Sequence, residues 1–525
     1  MKDRAQKFFG CDIRSLAIFR IALACIVFCD VCDRFQYVEA FYSEHGFFNL
    51  ELAKHVSPYS YSVNYLSDSI GFQKGVFILL GLGAVLLGMG CYSRLSTCVC
   101  WILLASIHVR NPTVLISGDT LLRMMLFWSM FIPLGRIWSI DHWRQRRGSG
   151  GETELPTQPS LLCSVGTACL ILQVCIMYWT AGLSKWNEAW LDGTAMEYIL
   201  RLDCYTRPMG RWALTYPMLV MCLTYSTLAI ELLFPLLLFV PYRNDLIRLG
   251  VVLFFWCFHI GIEFFMDIGK FGAVSMMAWL PVLPGIFWNH FSPTRIAEPD
   301  GGSKSEVSDQ TKPSSIRIWG KRFFSILVPF VFLVYVVMWN LFALHGYLGR
   351  TRRQADTDSF YRFGMATMVG QNFQMFCVPS RANATYVFNG RMKNGIRMDL
   401  VRDQPVQDSA PGGSSTGIVR GWKTLHWYLV SFGGDPKLNQ ALLEYHTRTW
   451  NLTHAVSEQV YESRMECYYE EIGPGVPAGS FEHLQNLAFW ARSGPIEKSK
   501  EELIQDFDQL MNQFEDGYMF PSGNE

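Results

Sequence analysis

The sequence predicts an all-α polytopic membrane bundle of about nine transmembrane helices, followed by a C-terminal exterior domain of mixed α/β or β-rich character. Two observations carry this. Of 525 residues, 50% are hydrophobic and only 17% charged, where an ordinary soluble domain carries about a quarter charged. The apolar residues also come as repeated runs through the first two thirds, while the last third is polar and mixed. The expected division is therefore a membrane domain over 1–344 and an extramembrane domain over 345–525. Formal net charge is 0, so no global charge argues for nucleic acid, and membrane lipid is the expected partner.

The runs follow in order. Span 1 is about Leu16–Cys32, with Arg20 near its start and Asp30, Asp33 and Arg34 at its end. Span 2, about Gly75–Cys91, is rich in glycine, which permits close helix approach. Spans 3 (Leu95–Val109) and 4 (Leu121–Leu134) fall short of the ~20 residues that cross a bilayer, so they need burial, flanking residues or local thinning. Span 5 covers Leu161–Leu183, span 6 Ala213–Val240 and span 7 Leu249–Met266. Span 8, Phe271–Phe291, is interrupted by Pro281 and Pro284, and the Gly/Ser-rich stretch Ser292–Gly320 separates it from span 9 at Phe323–Leu344.

Basic residues orient the bundle. Arg94, the Arg136–Arg147 loop, Arg243 with Arg248, and the Lys312–Arg322 cluster all follow even-numbered spans, which puts them and the N-terminus inside. Arg350, Arg352 and Arg353 oppose that count. The majority places residues from about 345 onward outside. That late domain alternates like a sheet over Ala384–Asp403 and Glu462–Ile472, with helical spacing over Trp422–Phe432 and Ala441–Gln459. An amphipathic acidic tail, Glu501–Gly517, closes the chain. Most of the fifteen cysteines lie in apolar runs, where the residue packs as a small hydrophobe. Cys377 and Cys467 share the late domain, which permits a bridge between them.

Ionisable residues inside spans mark candidate function. Asp119 and Arg123 stand four apart, the spacing of a helix ion pair. His259 and Glu263 repeat that spacing in span 7; two such ligands are too few for a metal site, and a hydrogen-bonded pair or a substrate pocket is the alternative. Glu231 in span 6 must be paired, protonated or facing a cavity. No Walker loop, dinucleotide fingerprint, nucleophile elbow or HExxH appears. Lys185 ends the longest-reaching of these segments, LILQVCIMYWTAGLSKWNEAW. Two readings stay open for it: an interfacial anchor whose ammonium reaches water, or a desolvated amine held for proton chemistry.

Four segments bear on that choice: CDIRSLAIFRIALACIVFCDVCDR with FYSEHG, NPTVLISGDTLLRMMLFWSMFIPLGRIWSID, YWTAGLSKWNEAWLDG, and HIGIEFFMDIGKFGAVSMMAWLPVLP. They resemble the horizontally transferred transmembrane (HTTM) domain family, to which the vitamin K-dependent gamma-carboxylases belong. The late VGQNFQMFCVP, NGIRMDL and WKTLHWYL stretches are similar to that family as well. In the carboxylases an AG-x-x-K-x-x-x-x-W segment supplies a lysine that deprotonates reduced vitamin K. The resemblance implies Lys185 as catalytic base, His259 and Glu263 as cofactor-binding residues, a reduced quinone as cofactor, and no metal. One departure matters. The carboxylases carry an Asn-His pair where this chain has Asn111-Pro112, so carboxylation itself is not implied. Bacterial relatives suggest the other class of function, a non-enzymatic membrane factor for maturation or export of a secreted peptide or protein. The implied location is a bacterial inner or cell membrane with the C-terminal domain exterior.

Overall fold

The structure, a computed structural model, describes residues 2–58, 60–148, 161–291, 323–345, 358–406, 425, 435–476 and 481–491. Apart from Leu425, the expected helix Trp422–Phe432 lies outside the described residues, as do the Ser292–Gly320 stretch and the Glu501–Gly517 tail.

Short helix α1 (Lys2–Phe9) and strand β1 (Cys11–Asp12) lead into α2 (Ile13–Phe35), α3 (Val38–Tyr42), α4 (Leu50–Val56), α5 (Ile70–Met89) and α6 (Ser93–Arg110). Next come α7 (Ser117–Ser129), α8 (Ile140–Gly148), strand β2 (Leu161–Leu162), which pairs antiparallel with β1, and α9 (Val165–Ser184). Three short helices, α10 (Glu188–Leu191), α11 (Ala195–Leu200) and α12 (Pro208–Ala213), precede α13 (Pro217–Leu233). A 3-10 segment, Phe234–Phe239, joins α13 to α14 (Asn244–Phe265). Then follow α15 (Phe271–Ala278), α16 (Gly285–Phe291), α17 (Val328–Leu344) and α18 (Ser359–Ala366).

Local chemistry sets the ends of these helices. The side chains of Asp12, Ser69 and Ser164 accept backbone N–H groups at the starts of α2, α5 and α9, each offsetting an otherwise unpaired donor. Gly90 ends α5 in the left-handed region. A Cβ there would lie 2.4 Å from Ser139 and 2.8 Å from the Arg20 guanidinium. Arg20 donates to the carbonyls of Gly88, Leu134, Ile137 and Trp138. It thus gathers the end of α5 and the stretch between α7 and α8 at one buried cation.

Six helices are long and apolar enough to cross a membrane: Ile13–Phe35, Ile70–Met89, Val165–Ser184, Pro217–Phe239, Asn244–Phe265 and Ser325–Leu344. The chain is a multi-pass membrane protein. The expectation of nine spans is met by six among the described residues. Spans 3, 4 and 8 correspond to α6, α7 and the stretch Phe271–Val282. The first carries Arg94, His108 and Arg110, the second Asp119 and Arg123 over 13 residues, and the third is a shorter apolar helix. His108, Arg110, Asp119 and Arg123 are buried inside the bundle, which is what brings chemistry to it, while Arg94 is exposed.

The described residues form two compact units, the second drawn from 386–406, 439–468 and 483–491 and the first from the rest. The late region is β-rich. Strands β3 (Ala382–Met392), β4 (Arg397–Asp399), β5 (Gln404–Pro405), β6 (Val460–Glu471) and β7 (Phe481–Ala491) form one open sheet in the order β5-β4-β3-β6-β7. Antiparallel register pairs Asn389 with Asp399 and Met398 with Pro405. Helix α19 (Pro436–Thr453) answers the helical spacing read over Ala441–Gln459. Asn383 donates to the Arg201 carbonyl and Asn451 to that of Val460. Cys377 and Cys467 are free thiols, and burial pushes the Cys377 thiol up from its ordinary value.

One titration follows from the second unit. The His446 ring packs 4.5 Å from that of Phe388, and burial pushes its imidazole down to about 4. Below pH ~6.5 the unfolded chain protonates this histidine and the folded one does not. Stability present above that pH is therefore lost as pH falls from ~6.5 to ~4, by up to about 3 kcal/mol. Unfolding followed across that range should show this slope, and His446→Phe should flatten it; a slope unchanged in the variant removes His446 as its source.

Candidate functional site

Helix α9 ends at Ser184 and Lys185 leaves it with its N–H still bonded to the Gly182 carbonyl at 3.2 Å. The side chain does not reach water. It turns back, so that Nζ donates to the Ala181 carbonyl at 3.2 Å and to Glu231 Oε2 at 2.7 Å. Lys185 is 2% exposed and Glu231 8%, which removes the interfacial-anchor reading. Gly182 allows this meeting. A Cβ on it would lie 2.8 Å from Leu232 and 3.2 Å from Glu231 Cβ, so α9 and α13 approach each other closely where the lysine meets the acid. The ammonium also lies 5.2 Å from the centroid of the Trp190 ring, an aromatic face that favours a cation.

These groups line a cavity of about 180 Å³ whose walls are mostly apolar. Met177, Phe258, Ile262 and Met266 supply carbon surface, and Asn372–Phe376 passes along one side. His259 lines it too. Its Nε2 is 2.6 Å from the Tyr178 hydroxyl, which in turn accepts the Trp279 indole N–H at 3.2 Å. His259 Nδ1 has no hydrogen-bond partner among the described residues. A buried polar atom left unpaired costs stability unless a ligand or water meets it. Lys185, Glu231 and His259 thus line a mostly apolar cavity, with Ser117, Tyr205, Thr227, Asn372 and Gln374 among its other polar residues.

Lys185 and His259, expected at one site, line one cavity. Glu263 is elsewhere: its carboxylate is 3.4 Å from Arg207 and packs against Gly272, and it is not among the cavity walls. One turn beyond His259, it is drawn to the α11–α12 connection by that arginine. Tyr178 and Trp279 were passed over in the sequence, since an aromatic within an apolar run reads as core until a partner 81 residues away is known.

A second polar cluster lies across Ile116, which lines both this cavity and a small neighbouring pocket of about 40 Å³. Arg34 donates to both Asp30 oxygens at 3.0 and 3.1 Å and to Asp119 at 2.6 Å. The Lys270 ammonium bonds both Asp30 and Asp119. Arg123, spaced to pair with Asp119, instead donates to the carbonyls of Met368 and Gly370 and to His108 Nδ1. Asp30, His108 and Asp119 come within 4.8 Å of one another, close enough to ligate a cation. Their chemistry does not suit one. An arginine can only donate, so His108 Nδ1 accepts and Nε2 carries the proton of the neutral ring. The nitrogen facing Asp119 at 3.5 Å therefore lacks a free lone pair, and Lys270 already supplies a positive charge to both carboxylates. The cluster is an internal ion-pair network.

The profile of the HTTM domain matches residues 8–288. No curated protein and no solved structure matches the chain.

Proposed function

Because the chain belongs to the HTTM domain family, we propose that the Lys185–Glu231 pair accepts a proton from an acidic hydroxyl of a membrane-borne substrate, of the reduced-quinone class, held in the apolar cavity. The observation that carries this is a lysine and a glutamate 2.7 Å apart, both buried, in a mostly apolar cavity. A structural ion pair alone needs no cavity beside it. The size supports a single ring system: a dry apolar cavity of ~150 Å³ accepts benzene, and this one measures about 180 Å³.

The proton accounting is simple. The shared proton rests on the amine or on the carboxyl across 2.7 Å. Uptake of one more from a substrate hydroxyl gives the same products either way: a Lys185 ammonium, a protonated Glu231 and a deprotonated substrate oxygen. The ammonium then lies against the new negative charge, where a low dielectric strengthens the attraction. His259 Nδ1, left without a partner in the protein, is available to a second polar atom of the ring. A bound reduced quinone would supply both the acidic hydroxyl and the capacity to be oxidised. Gamma-carboxylation is not part of the proposal, since Pro112 stands where the carboxylases carry histidine.

The test is turnover of reduced menaquinone or vitamin K by the purified membrane protein, with epoxide formation and labelled carbon dioxide incorporation followed separately. Epoxide without carboxylation is expected. Absence of any oxidised product in the presence of oxygen, with the fold intact, refutes the reading. The basic-loop count supports an exterior face for the residues from about 345 onward, and a reporter fused after Leu344 should report that side.

A further inference from the structure

A cavity of about 180 Å³ holds a ring and no more, so the tail of a membrane lipid must leave it somewhere. Parts of its boundary are held by hydrogen bonds. The segment along one side is held by the Trp190 indole on the Phe376 carbonyl at 2.9 Å, Asn187 on that of Cys377 at 2.7 Å, and Gln374 on that of Ala343 at 3.1 Å. Further up the same segment, Trp339 donates to the Gln371 carbonyl at 2.7 Å. The first half of α13 is fastened to the short helices. Tyr225 donates to the Leu191 carbonyl at 2.8 Å, Met196 N–H to Thr224 at 3.2 Å, and a Cβ on Gly193 would lie 2.8 Å from Met221. At the other end α13 and α14 pack on the 3-10 segment between them, where Phe234 stacks on Phe254 at 4.1 Å.

Between those two closures Thr227 and Glu231 of α13 look across to Phe258 and Ile262 of α14, and all four line the cavity. No hydrogen bond joins the two helices there among the described residues. Both are candidate spans facing mostly outward: 22% and 28% of their apolar windows is buried, against 72% for α9. Ile260 and Phe264, flanking Ile262, are more than half exposed, which in a bilayer means exposed to lipid.

We infer that the cavity is filled sideways from the bilayer through a lateral opening between α13 and α14, and that the single hydrocarbon tail of an isoprenoid lipid lies in that opening against Phe258 and Ile262. The commitment to one tail follows from the ring-sized cavity and from the slot being bounded by two helices. The nature of the head rests on the proton-transfer reading above. The tail's position does not, because only apolar contacts place it.

The experiment uses the full chain in lipid nanodiscs and a farnesyl-tailed benzoquinone bearing a diazirine on the tail. After photolysis, peptides are mapped by mass spectrometry. Cross-links to Thr227, Phe258 and Ile262, competed by the unlabelled farnesyl quinone, are expected. Ile262→Trp should reduce that labelling at least about tenfold, a loss of ~1.4 kcal/mol. Ile260→Trp, on the outward face, should leave it as in the parent and shows that a tryptophan on α14 is tolerated. Lys185→Ala should also keep the tail labelling. If Lys185→Ala leaves turnover unaltered while the tail still maps to the slot, the proton reading falls and the opening stands. Competed labelling confined to Asn372–Phe376 or Asn187–Trp190, no competed labelling at all, or cross-links from these residues to a second copy of the chain would each overturn the lateral opening.

Discussion

Lys185→Ala is expected to lower quinol-dependent turnover by about 10²- to 10⁴-fold, the range a positioned acid–base group contributes. The loss should fall on kcat more than on KM, because the cavity walls are carbon and the apolar ring keeps its contacts. Glu231→Gln should be nearly as harmful. The glutamine can hydrogen-bond Nζ but has no carboxylate to take up the proton, so the pair loses its acceptor. Lys185→Arg tests the same point from the other side: a guanidinium preserves the charge yet does not give up a proton in a protein. Substrate binding that survives in all three variants with turnover lost supports proton acceptance. A non-enzymatic export factor predicts the opposite pattern, with Lys185 dispensable and changes in the late domain decisive. Equal activity of the parent and Lys185→Ala would sink the catalytic reading.

How far these residues could be read beforehand depends on the length scale of their partners. The apolar run ending in Lys185 is visible locally, as is the alternation that becomes β3 and β6. What the lysine does is not local. Its carboxylate is 46 residues away on α13, and whether it snorkels or folds inward depends on Gly182 admitting Leu232. The pair His259–Glu263 shows the converse error of trusting local spacing. A four-residue interval places two side chains on neighbouring parts of one helix face, but Arg207 decides where the acid goes. Asp119 and Arg123 repeat the lesson, since each has a stronger partner on another element. His108 was invisible for a simpler reason. It stands at the end of span 3, where a histidine reads as the polar edge of an apolar run, and in the structure it is fully buried on α6 beside Arg123 and Asp119. The three shorter runs were legible as apolar, spans 3 and 4 as too short to cross a bilayer unaided, and a charge that would be costly in lipid is tolerable in them once several helices surround it.

The same logic gives the largest effect on stability. Asp119 is buried, and its carboxylate receives Arg34 at 2.6 Å, the Lys270 ammonium and the Ile116 N–H at 2.8 Å. Asp119→Asn keeps the shape and removes the charge, leaving Arg34 and Lys270 to share Asp30 alone. Removing one partner from a buried ion pair costs about 3–5 kcal/mol, because the remaining charge is stranded in a low dielectric. The expectation is a variant that unfolds at markedly lower temperature in detergent or fails to accumulate. Local damage should reach the cavity as well: Ile116 is held by Asp119 and lines it, and Lys270 directly precedes Phe271, another of its walls. Adding Lys270→Met to Asp119→Asn removes the stranded ammonium. The double variant should then be more stable than the sum of the two single losses by about 1–3 kcal/mol, the coupling typical of residues in direct contact. Strict additivity would mean that Lys270 and Asp119 do not act as a pair. Recovery in the double variant would identify charge balance, rather than the hydrogen bonds themselves, as what this cluster supplies to the helices around the cavity.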